Sequence, residues 1–150
     1  MANLRRNLKI ISILILVLVV FSLVRMIVDV CKNGFGDIGE LPEGVSPEVG
    51  EVLVVIVWAI GILFLLPQVY IGIKGIKLAT NPSSVTGRAH LIWAAVMTIL
   101  SVLSVISCIS KISQGYTSEK FWSLFDVLLN VLVFCTYYYC ARKIATEANK

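Results

Sequence analysis

Few side chains here have the types and spacing that chemistry needs, and they do not gather. The chain has one histidine, His90, and four cysteines, Cys31, Cys108, Cys135 and Cys140. A lone imidazole with no Cys-x-x-Cys to join it cannot complete a metal site, so His90, next to Trp93, is expected to play a structural role at a membrane interface. Cys135 and Cys140 do not form a redox motif. Cys31 and Cys108 have two uses open to them: plain packing thiols, or a bridge on an oxidising side of the membrane. No Ser-His-Asp set, H-E-x-x-H, P-loop or G-x-G-x-x-G pattern occurs, and no loop is long enough to hold a soluble catalytic domain. The expectation is a protein that is not an enzyme and uses no cofactor.

Two charges interrupt apolar runs, Arg25 and Asp126. Charge within hydrocarbon costs roughly 2.5 to 3.5 kcal/mol on insertion scales, so opposite charges at similar depth are favoured to pair. Alternatives stay open: Arg25 can snorkel outward or meet Asp29 one turn away, Asp126 can turn to water or to Asn130, and the two can instead line an outer polar pocket. The acidic run Asp37-Ile-Gly-Glu40-Leu-Pro-Glu43 lacks the order of a calcium loop and reads as a solvated segment.

The elements that must position these residues are long apolar helices. The chain is 58% hydrophobic, with mean hydropathy +0.91, beyond an ordinary soluble domain. Ser46-Pro47-Glu48 is a helix start, and the charge-free run from Val52 to Leu66, extended by Val69 to Ile73, reaches the roughly 20 residues that span a bilayer. An earlier run, Ile10 to Val24, follows Arg5, Arg6 and Lys9. It lacks the small residues of a signal-peptide cleavage site, and Asp29 and Val30 suit no lipoprotein site at Cys31, so it is retained as a helix. Asn81-Pro82-Ser83-Ser84 is a turn, after which Ala94, Thr98, Ser101, Ser104, Ser107 and Cys108 give a third helix a face of small and weakly polar side chains, suited to close helix packing. A fourth ends in Tyr137-Tyr138-Tyr139 and then Arg142-Lys143, an aromatic belt followed by charge.

The expected architecture is a single all-α domain, a four-helix transmembrane bundle with helices over about 8–28, 47–78, 89–109 and 121–141 and an acidic outer loop over 29–46. Of the 13 basic residues, Arg5, Arg6, Lys9, Lys74, Lys77, Arg88, Arg142, Lys143 and Lys150 fall on one side, with Lys32, Lys111 and Lys120 on the other. Positive charge stays inside, which puts both termini in the cytoplasm of a multi-pass plasma-membrane protein. The net charge of +4 then reflects orientation and contact with anionic lipid, not nucleic acid, which would need a basic surface studded with aromatics. In helix 2, Gly61, Gln68, Gly72 and Gly75 lie close to one side near Pro67, which removes a backbone hydrogen bond. Either a kink with a polar face or ordinary transmembrane use of Gly and Pro accounts for them.

Leu66-Pro67-Gln68, followed by a basic loop and two further helices, resembles the Pro-Gln motif of PQ-loop and SemiSWEET-type sugar transporters over residues 51–141. That resemblance implies a hinge at Pro67 and Gln68, a pocket between paired units that includes Trp93 and Asn130, and a working dimer. An extra first helix and unmatched flanking residues depart from the pattern. The stretch Gly72-Ile-Lys-Gly75-Ile-Lys-Leu-Ala79-Thr-Asn-Pro82-Ser-Ser leading into Ala89-His90-Leu-Ile-Trp93 resembles small four-helix membrane proteins of Gram-positive bacteria, which bring no established activity. The function expected is noncatalytic and exercised through helix contacts with itself or with a membrane partner. A minimal transporter is the alternative.

Overall fold

The computed structural model describes residues 2–33, 47–82, 87–113 and 117–148. Four helices make up this structure: α1 (Ala2–Asn33), α2 (Pro47–Thr80), α3 (Ala89–Ser113) and α4 (Ser118–Ala148). All four are long and apolar enough to cross a membrane. They outrun the apolar segments legible in the sequence, because hydrophobicity marks the stretch suited to hydrocarbon while the backbone ladder continues until something stops it. Residues 29–33 are helical, so the outer loop expected over 29–46 begins later. The acidic run 37–43 lies outside the described residues.

Local chemistry sets the remaining ends. The Asn81 N–H donates to the Lys77 carbonyl at 2.8 Å, closing α2 just before Pro82, which cannot donate. Gly87 has φ +91°, a left-handed turn that glycine adopts without strain. The Arg88 carbonyl accepts from the Leu91 and Ile92 N–H groups at 3.0 and 3.1 Å, which makes Arg88 the N-cap of α3. Thr117 opens α4 in the same way, accepting from the Phe121 N–H at 3.2 Å. Pro67 sits inside a continuous α2.

Around the bundle the helices follow chain order, each packed on its neighbours, with α1–α2 and α3–α4 the most extensive pairs. Of the two diagonals, α2 touches α4, whereas α1 and α3 do not touch among the described residues. The core takes Leu8 and Ile15 from the first half of α1, Ile71 and Leu78 from the second half of α2, Ala94 and Met97 from the first half of α3, and Val133, Tyr137, Ala141 and Ile144 from the second half of α4. Neighbours are therefore antiparallel, and the core lies toward one end. That end also carries Arg5, Arg6, Lys9, Lys74, Lys77, Arg88, Arg142 and Lys143, and we refer to it as the basic end.

Glycine sets the helix spacing there. A Cβ on Gly72 would come within 2.7 Å of the Leu16 side chain and 3.2 Å of the Ser12 carbonyl oxygen. One on Gly75 would collide with the Ser12 hydroxyl and the Tyr137 ring. Close backbone approach of this kind is the packing that small residues allow between membrane-spanning helices. The outward faces are apolar, with Val20 60%, Leu63 62% and Leu132 65% exposed.

Candidate functional site: a polar cleft away from the basic end

Beyond the core the four helices part around a cleft of about 560 Å³. Helix α1 contributes Ser22 and α2 contributes Gln68, while Ser101, Ser104 and Ser107 come from α3 and Asp126 and Asn130 from α4; Phe21, Phe64 and Phe134 supply apolar wall. The small polar face of α3 points into this opening because its residues recur at intervals of three, close to the helical period.

The cleft's chemistry follows from where its protons go. The Ser101 hydroxyl donates to the Met97 carbonyl at 2.8 Å, and Ser104 donates to Leu100 at 3.0 Å. The Asn130 amide NH₂ donates to the Asp126 carbonyl at 3.0 Å. The Gln68 amide makes a longer contact of the same kind with Phe64 at 3.4 Å. Each of these donors turns back onto its own helix, one turn earlier, which leaves the Ser101 and Ser104 oxygens, the two amide oxygens and the Asp126 carboxylate as acceptors set in a largely apolar lining. Such a lining suits a group that brings donors or positive charge.

No known protein family, curated protein or solved structure matches the chain.

The residues singled out in the sequence separate in space. Gln68, Asp126 and Asn130 meet in the cleft. Pro67 is half-buried beside it without lining it, and Trp93 is 44% exposed on an outward face. Arg25 continues the α1 row of Leu18 and Ser22 but lies beyond the cleft wall, exposed, and no ion pair joins it to Asp126 among the described residues. Cys31 and Cys108 are both free thiols. Their helices do not touch, whereas a disulfide needs Cα atoms within about 7 Å.

His90, at the start of α3, is 2% exposed and faces the interior of the bundle. Tyr137 and Ser12 are fully buried with it. The Ser12 hydroxyl donates to the Leu8 carbonyl at 2.7 Å, while the His90 Nε2 and Tyr137 Oη atoms have no hydrogen-bond partner. Ser12 and Ser22 escaped the sequence reading, because one hydroxyl within an apolar run gives no sign of which way it faces, and Tyr137, expected in an aromatic belt, is instead fully buried. Among the described residues, no three His, Cys, Asp or Glu side chains come together as a metal site would require.

Proposed function

We propose that this is a noncatalytic, multi-pass protein of the plasma membrane, with both termini in the cytoplasm, that acts through helix contacts with itself or with a membrane partner. The observation that carries this reading is the polar cleft. Acceptor atoms and a carboxylate within a membrane-spanning bundle are costly to leave facing lipid, and a helix presenting Lys, Arg or hydroxyl donors would satisfy them. Transmembrane helices associate through such small-residue, hydroxyl-bearing faces.

A second reading, a minimal transporter working as a dimer, is favoured by Gln68 and Asn130 lining the same opening. Four helices from one chain enclose a path poorly, so a second copy would complete it.

A photo-crosslinking residue in place of Ser104, activated in native membranes, separates these readings. An adduct of twice the monomer mass supports self-association, and one of another discrete mass supports a partner. Substrate-dependent flux in vesicles without a partner adduct supports transport. If neither adduct nor flux is found, both readings fail.

A further inference from the structure

At the basic end, α3 and α4 part around a second recess of about 690 Å³, lined by the guanidinium-bearing side chains of Arg88 and Arg142 and by Tyr138. Among the described residues, no Asp or Glu lines it. One wall is a row on α3, Ile92, Val96 and Ile99, spaced four and three residues apart and hence on a single helix face. Ile92 is 64% exposed and Ile99 60% exposed. Arg88 stands four residues before Ile92, so one stripe has charge at its end and hydrocarbon along its length. From Arg88 to Ile99 the helix rises about 16 Å at 1.5 Å per residue.

This pairing of charge with hydrocarbon selects the occupant. A free phosphate would engage only the arginines and leave the isoleucine row unused. An apolar helix would cover the row but leave two cations facing it. A phospholipid of negative charge matches both parts.

We propose that the recess binds one anionic phospholipid, with its phosphodiester held by Arg88 and Arg142 and an acyl chain lying along Ile92, Val96 and Ile99. Guanidinium presents a planar fork of donors to phosphate oxygens. Basic pockets between transmembrane helices on the cytoplasmic side are suited to acidic head groups. The inference rests on the bundle lying in a bilayer and does not depend on what occupies the far cleft.

Native mass spectrometry of the detergent-purified protein, mixed with equal amounts of phosphatidylglycerol and phosphatidylcholine, tests it. One phosphatidylglycerol should be retained in preference to phosphatidylcholine. Arg88→Gln/Arg142→Gln should weaken that retention roughly tenfold or more, while Arg88→Lys/Arg142→Lys, which keeps the charge and loses the fork, should fall between that variant and the original protein at unchanged helix content. Arg5→Gln/Arg6→Gln removes equal charge from the same end and should leave retention unaltered. An equal loss in the Arg5/Arg6 variant, equal retention of the two lipids, or displacement by excess inorganic phosphate would each overturn the assignment. A chain that remained folded and soluble without detergent would instead defeat the membrane reading beneath it.

Discussion

Gly75 determines how closely α2 approaches α1 and α4. Its two obstacles, the Ser12 hydroxyl and the Tyr137 ring, are fully buried and cannot swing into solvent. Gly75→Ala is therefore expected to destabilise the protein by about 1–3 kcal/mol, the range for overpacking, and Ser12→Ala, which removes one obstacle, should recover part of that loss. Thermal unfolding in detergent of both single variants and the double variant measures the coupling. A loss undiminished by Ser12→Ala would place the relief elsewhere. At the same scale, Arg25→Ala and Asp126→Ala should add to within roughly 0.5 kcal/mol, as separated sites do; coupling well above that would bring the side chains together. An expected depth for each was legible from helical rise alone. Their direction around the helix axis was not, because bearing depends on which neighbours each helix acquires.

At the scale of the helix, length and face were legible to different degrees. Four apolar runs and their breakers place four helices. The polar ends of α1 and α4 go unseen because hydropathy is silent where nothing apolar remains to be counted. The serine face of α3 was legible as a face, though not what it borders: its hydroxyls line a cleft instead of filling a helix contact. The cysteines show the same limit. Cys31 and Cys108 belong toward the same end of the chain's expected topology, yet their helices do not touch. Reduction is thus expected to leave gel mobility unchanged, and the exposed Cys31 should react with maleimide without prior reduction. A reduction-dependent shift abolished by Cys108→Ser would require α1 and α3 to come together at that end.

Across the whole molecule, aromatic residues gather toward both ends of the bundle. Lys74 lies over the Tyr70 ring at 5.8 Å and Lys143 over Tyr139 at 5.9 Å, cation–π pairs that suit a head-group boundary. At the other end, Phe121, Trp122 and Phe125 stack edge to face, with centroids 6.1–6.3 Å apart. Under the proposed orientation, a reporter fused after Lys150 or a tag at Ser84 should behave as cytoplasmic, whereas a tag within 34–44 should be labelled from outside intact cells. External labelling at Ser84 would reverse the arrangement.

The strong α1–α2 and α3–α4 pairings also bear on how the protein is made. Under the proposed membrane reading, each pair is a helical hairpin that enters the bilayer as a unit, and the two then dock through a seam that includes Ser12, Gly75 and Tyr137. Covalent continuity between Pro82 and Ser83 is then dispensable. Co-expressed fragments 1–82 and 83–150 should reassemble and co-purify, and Gly75→Leu in the first fragment should prevent it. The protein would in effect be a heterodimer of hairpins joined by a short tether.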